Sequence, residues 1–468
     1  MEEGTSWSAF AGLGVGFALA LIILGFYSVG IDGDHLWMIF LGFLLVFAVS
    51  VLSSLKLEGE DPAWLVMAVC FVVGCVAAYG TYLGIRAPRL SESWSAKADE
   101  PDGLRGKGVW MLGDTVVRVR SDGAVAYAPA DGAVRWTHTV PGTQTVCAMS
   151  DRAEGGIGLI AYAEDGGPCG QVAALDLATG KALWQTRTSL PERRGSDGFS
   201  GVMALTSKVA VFPVKKGLRG VEPRSRERLW TAPAPKGCSF DARYDGFALA
   251  GERLTVGYQC RKGARIVTID AGTGRTLWSV PLPGTVVAAE AISAAPAVVY
   301  IRESGERGRD RILLFTAEGR QSGEIPVSGP DGAIDLGSSG LALLPRPYVQ
   351  VGGDAVYAKV EQKHGYDLLV SYGLDGERRW STDLEDYIEA FSVSPNGIAI
   401  VSRDSRKADD LGWLSVVSPA TGARRERIRL PFDFGREADD PWLYHGPDLT
   451  VLATAESGTP VIAYRRKG

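Results

Sequence analysis

Four cysteines carry the most readable chemistry in this 468-residue chain. Cys147 and Cys169 are 22 residues apart, and so are Cys238 and Cys260. Equal spacing suits two disulfides closing equivalent loops. It does not suit a metal site, because the spacing is wide and no His or further Cys accompanies either pair. Free buried thiols are the alternative. Histidine chemistry is thin: His35, His138, His364 and His445 lie far apart, and none sits in a metal-binding or nucleophile pattern. Two acidic groups, Asp439 with Asp440 near Trp442 and His445, and Asp383 with Glu385 and Asp386, are placed to line a loop face. Solvated loop charge is the simpler reading of both.

The elements that would position these groups fall into two textures. Up to Ile85 there are three uncharged runs, Gly4 to Ile31, Leu36 to Leu55 and Pro62 to Ile85, separated by "DGDH" and "KLEGED". About 20 apolar residues in a helix span a bilayer core of about 30 Å, so three transmembrane helices are expected over residues 1–88. A cleaved signal peptide plus two core helices fits less well, because the leader "MEEGTS" is acidic and the later runs are as long and apolar as the first. Cys70 and Cys75 sit in the third run and read as small hydrophobes.

From residue 89 to 468 the chain becomes strand-length apolar runs such as "TVVRVR", "QVAALDLA", "RIVTID" and "GIAIVSR", punctuated by Gly, Asp, Pro and Ser. Trp136, Trp184, Trp230 and Trp278 follow at steps of 48, 46 and 48 residues, each after a turn phrase such as "DLATGKALW" or "DAGTGRTLW". Degenerate copies end at Ile325 and Ile428, and "GLDGERRW" ends at Trp380. Self-similarity near 47 residues, about four strands, predicts a β-propeller of four-stranded antiparallel blades. Asp and Thr can bond the turn backbone, Gly supplies positive φ, and Trp docks between blades. Recurrence in blade after blade makes packing a simpler role for these tryptophans than stacking on a ligand.

Strands A, B and C of the last repeat are present, but no strand D follows them. Trp94, 42 residues before Trp136, therefore supplies the missing strand, closes the ring and gives eight blades; seven is the competing count. The blade-docking tryptophans are thus Trp94, Trp136, Trp184, Trp230, Trp278 and Trp380. In this register each cysteine pair joins the start of strand A to the end of strand B of one blade.

The D-x-x-T-G-x-x-L-W phrases at residues 176–184 and 270–278 resemble the repeat of the pyrroloquinoline quinone (PQQ)-like β-propellers, over roughly residues 91–468. That family includes quinoprotein dehydrogenases and non-catalytic relatives of the outer-membrane assembly lipoprotein type. The resemblance is specific for fold and weak for activity. A dehydrogenase of this kind needs PQQ, Ca²⁺ with acidic ligands, an Asp base and, in many members, a vicinal disulfide; no adjacent Cys-Cys occurs here. The expectation is a binding or scaffold module for a protein, peptide or envelope ligand, with no cofactor and no catalytic residue. A PQQ-dependent membrane-bound sugar or alcohol dehydrogenase is the alternative.

A net charge of −5 and a pI of about 5.6 offer no footprint for nucleic acid. Disulfides imply an oxidising compartment, which places the propeller on the extracytoplasmic side of a bacterial plasma membrane. Flanking basic residues, Lys56 against Arg86 and Arg89, lean weakly the other way.

Overall fold

The computed structural model describes residues 90–466, apart from 101–103, 114, 165–166, 191–201, 242–244, 306–308, 337–347, 404–410, 434–440 and 456–457. The three apolar runs, His35 and the Asp439–Asp440 pair lie outside the described residues. Leu90–Asp404 and Gly412–Gly468 form one compact unit. Among the described residues no helix is long and apolar enough to cross a membrane.

The fold is an all-β propeller. Its sheets are antiparallel meanders such as Gly106–Leu112, Thr115–Arg120, Gly123–Tyr127 and Val134–Thr139, or Gln144–Met149, Ile157–Glu164, Gln171–Asp176 and Ala182–Arg187. Two such meanders merge into one larger sheet, because the innermost strands Asp245–Ala250 and Val286–Ala294 lie side by side and parallel. Chain direction therefore repeats from meander to meander, as rotation about a common axis requires.

Burial is greatest in the middle strands of each sheet and least in the fourth. The second and third strands are the most buried, and Thr115–Arg120 and Gly123–Tyr127 are buried at every residue, because a sheet in the middle of a stack is covered on both faces. The fourth strands read as alternation, with Val134–Thr139 and Thr276–Pro281 largely exposed. Each core cluster is shared by neighbouring sheets: Leu159, Ala174 and Trp184 of one pack with Met203, Phe212 and Val221 of the next. At about 25 cal/mol per Å² of apolar surface, these contacts between sheets are the main stabilising term.

The tryptophans make one recurring joint. Trp136 Nε1 donates to Leu177 O at 2.9 Å, Trp184 to Pro223 O at 2.7 Å, Trp230 to Ala271 O at 2.9 Å and Trp380 to Pro419 O at 3.0 Å. Each acceptor lies in the turn of the following sheet. That turn is built by its own side chains: Asp270 accepts from the Thr273 hydroxyl at 2.7 Å and the Thr273 N–H at 2.8 Å. Those bonds, the hydroxyl first, hold the Asp270 carboxyl below its ordinary value. Gly180 and Gly274 supply φ of 71° and 72°, while Arg226 holds φ 63° at the same step of its turn.

Register corrects two of the markers. Trp184 faces Ala174 and Trp380 faces Ser371, but the same place opposite Leu314 is taken by Gly323, with Ile325 two residues beyond. A Cβ on Gly323 would lie 2.2 Å from the Asp375 backbone, so the next turn has closed into the space a Trp would fill. Counting from Gly422 as from Gly180 likewise puts Glu426, not Ile428, at the Trp step.

Leu90–Ser95 pairs antiparallel with Val461–Arg466, with Trp94 opposite Ala463, so the first and last described strands share a sheet. Trp94 Nε1 reaches Pro129 O at 2.9 Å and its ring stacks on Tyr127 at 6.0 Å between centroids.

Candidate functional site

In a meander, links between first and second strands and between third and fourth leave one edge of the sheet, and the other links leave the opposite edge. The tryptophan joints occupy the first edge. The second edge gathers the ends of the second strands and the crossovers between sheets, and it holds most of the buried charge.

Lys359 is the centre of the largest group. It lies near the end of Ala355–Glu361, after a buried run of apolar residues, and its Nζ is 2.9 Å from Asp335, 3.5 Å from Asp367 and 3.8 Å from Glu361. The ammonium also sits 4.6 Å over the Tyr348 ring. Burial pulls the Lys359 pKa down, but the Asp335 and Asp367 carboxylates outweigh it and the ammonium ends above its ordinary value. Asp367 accepts the Ile388 N–H at 2.8 Å, which ties the cluster to the next sheet. There Glu389 pairs with Arg403. Burial pushes the Asp367 and Glu389 carboxyls up, against the pull of Lys359 and Arg403 respectively.

Asp386 is fully buried; it accepts from Arg427 Nη2 at 3.1 Å and from the Ser402 hydroxyl at 3.1 Å. Arg427 in turn lies 4.2 Å over the Trp413 ring. Solvated loop charge is therefore wrong for Asp386, although Asp383 does act locally, accepting the Glu385 N–H at 2.7 Å. On another part of the same edge, Arg118 and Arg120 share Asp99, and Arg120 also grips Asp122 through Nε at 2.8 Å and Nη2 at 2.7 Å. Arg311 bridges Glu303 at 2.7 Å and Glu324 at 2.9 Å.

Sequence reasoning missed Lys359, Asp367 and Arg118. For Lys359 and Arg118 the signal is a charged residue inside a strand too apolar to face water, as in "VYAKVE" and "TVVRVR", whereas Asp367 lies in the link before Leu368–Gly373.

The cysteines form the disulfides Cys147–Cys169 and Cys238–Cys260. Cys147 lies within Gln144–Met149, while Cys169 sits just before Gln171–Asp176, past the end of the second strand. Cys238 lies on a two-residue strand in a crossover and pairs in register with Cys260. The described histidines form no cluster. His138 Nδ1 is 2.9 Å from Gly180 O, with burial lowering its pKa, and His445 Nδ1 is 2.8 Å from Thr450 Oγ1.

A quinone site would need acidic donors free to hold Ca²⁺. The buried acids Asp99, Asp367 and Asp386 and the half-buried Asp335 and Glu389 are each answered by a Lys or Arg, and among the described residues no cluster of His, Cys, Asp or Glu is placed to hold a metal. Both disulfides join cysteines 22 residues apart, so neither is vicinal. Among the described residues, these paired acids are not the free donors that Ca²⁺ beside PQQ would need.

A family model described as "Outer membrane protein assembly factor BamB" matches residues 85–237 and 214–466. A comparison with curated proteins finds no match. Among solved structures, the computationally designed Ika8 protein is similar with a TM-score of 0.51 at 16% identity, covering 80% of this chain and 99% of that one. The Dos1 propeller has a TM-score of 0.50 at 10% identity, covering 80% and 96%. BamB from Moraxella catarrhalis is similar at 13% identity and a TM-score of 0.46, covering 80% and 99%. These structural likenesses speak to fold alone.

Proposed function

Because the chain belongs to the PQQ-like β-propeller family whose model carries the BamB description, we propose that it is a membrane-anchored binding or scaffold module rather than an oxidoreductase. The observation that carries this reading is the pairing of charge on the crossover edge. Lys359 with Asp335 and Asp367, Arg427 with Asp386, and Arg118 and Arg120 with Asp99 spend their charge on one another. Groups so matched fix loops in place and are not themselves poised as acid–base residues for a substrate. What the edge offers is a rigid surface for a protein, peptide or envelope ligand.

The remaining parts of the proposal rest on sequence and topology. Three apolar runs anchor the chain in a bacterial plasma membrane, and two disulfides favour an extracytoplasmic propeller. Dividing the merged sheet at its parallel contact, together with the sheet shared by the first and last strands, supports eight blades.

Photo-crosslinkers at Lys363 or Glu385, on the crossover edge, and at Thr276, on an outer strand, test the surface in intact membranes. A discrete adduct from the first two positions and none from the third is expected. Equal adducts from all three, or none from any, would refute the reading.

A further inference from the structure

The two disulfides span the same number of residues but live in different surroundings. Cys147 is 6% exposed and Cys169 1%, and both belong to the apolar cluster around Leu159, Met203 and Phe212. Cys238 and Cys260 are only half-buried. Around them the chain gathers cations: Lys215 and Lys216 in one turn, Lys236 in the crossover, and Arg261 with Lys262 in the next turn, all exposed. These segments touch through backbone. Ala234 N–H donates to Lys216 O at 2.9 Å, and Arg261 N–H to Gly237 O at 3.2 Å. These five side chains are cationic in a chain whose net charge is −5.

We propose that Cys238–Cys260 is a thiol-exchange site selective for anionic thiols, and that Cys147–Cys169 is a closed structural bond. Exchange proceeds by attack of a thiolate on a disulfide sulfur, so access and the local concentration of thiolate set its rate. The incoming thiolate forms an S–S bond with one cysteine; the Cys238–Cys260 bond breaks, and the other cysteine leaves with the electron pair as a thiolate. A second reagent thiolate then attacks the reagent sulfur of the mixed disulfide. The products are the oxidised reagent disulfide and the second cysteine thiolate. Protein cysteines gain two electrons and take protons from water, and the co-reactant is a low-molecular-weight anionic thiol.

Both steps profit from the cations, which attract the reagent and stabilise the departing thiolate. Once the bond opens, Cys238–Ser239 keeps only a two-residue pairing with Gln259–Cys260, while Phe240 remains anchored against Phe247 at 5.7 Å. Exchange therefore loosens one crossover and leaves the sheet beneath it in place.

The full chain in detergent, treated with mercaptoethanesulfonate, mercaptoethanol or cysteamine at equal thiolate concentration, then alkylated and mapped by mass spectrometry, tests this. Cys238 and Cys260 are expected to be labelled together and well before Cys147 and Cys169. The sulfonate should react about tenfold faster than cysteamine at low salt. That preference should collapse near 1 M salt, where the Debye length is about 3 Å. Lys215→Gln, Lys216→Gln and Lys236→Gln together should weaken it; if that variant fails to fold, the salt series on the unmodified chain decides. Simultaneous reduction of both bonds, earlier reduction of Cys147–Cys169, or a reagent order indifferent to salt would overturn the proposal.

Discussion

Trp136 lies against Gly180 of the following sheet so closely that a Cβ on the glycine would come within 2.5 Å of the indole. The same pairing joins Trp94 to Gly132, Trp230 to Gly274 and Trp380 to Gly422. At these four joints a side chain on the glycine would meet the ring, whereas the Trp184 joint carries Arg226 at that step. Gly180→Ala should be destabilising through both the left-handed φ, which costs an L-residue about 1–2 kcal/mol, and displacement of the ring. Trp230→Ala, at a buried copy of the joint, should cost about 3–5 kcal/mol. Chemical denaturation of both variants checks this; an alanine at 180 that leaves the midpoint unmoved would count against the joint as a structural lock.

Ring closure rests on Leu90–Ser95. Removing residues 90–95 leaves Val461–Arg466 as an unpaired edge and exposes the cluster of Val109, Tyr127 and Ala463. Trp94→Ala alone should cost about 3–5 kcal/mol. Hydrogen exchange in Val461–Arg466 should accelerate in the deletion variant. Unchanged protection there would mean that the closing strand contributes little.

Lys359 holds several carboxylates that burial would otherwise drive toward protonation. Lys359→Met leaves Asp335 and Asp367 without their cation and should cost about 3–5 kcal/mol, the usual penalty for breaking a buried pair from one side. The pH dependence has a definite sign. Asp367, Glu361 and Glu389 are held above ordinary carboxylate values, burial being the first cause in each case. Their contribution to stability is thus full below the ordinary value and is lost as the pH rises through the raised ones. His138, lowered by burial, works oppositely in part of the same window. Denaturant midpoints of the parent and Glu389→Gln, compared across that window, should converge at its acid end and separate toward neutrality, with the variant the more stable on this contribution.

Much of the fold was legible because repetition multiplies weak signals. A single "DLATGKALW" is only a turn, whereas recurrence near 47 residues with a Trp at a fixed step implies stacked sheets. Register at the degenerate copies was not legible. Gly323 and Glu426 bear no likeness to Trp, so the eye settles on the nearest hydrophobe, Ile325 or Ile428. The cysteine pairs were readable from spacing, but not that one is enclosed and the other ringed by cations, since that depends on crossovers from two sheets. Asp386 reads as loop charge because its partner, Arg427, lies 41 residues away.

Topology has its own test. A protease added to intact cells or protoplasts should trim the chain beyond Arg89 and leave a membrane-embedded stub. Digestion only after lysis would place the propeller inside and remove the oxidising compartment on which the disulfides depend.

The most direct measurement is a titration of the purified chain with PQQ and Ca²⁺, followed by quinone absorbance and by dye reduction with sugars and alcohols. The account predicts no saturable binding and no substrate-dependent reduction, because Asp99, Asp335, Asp386 and Glu389 on the crossover edge are already matched to Lys and Arg. Saturable quinone binding with turnover, abolished by changing one acidic residue of that edge, would contradict it.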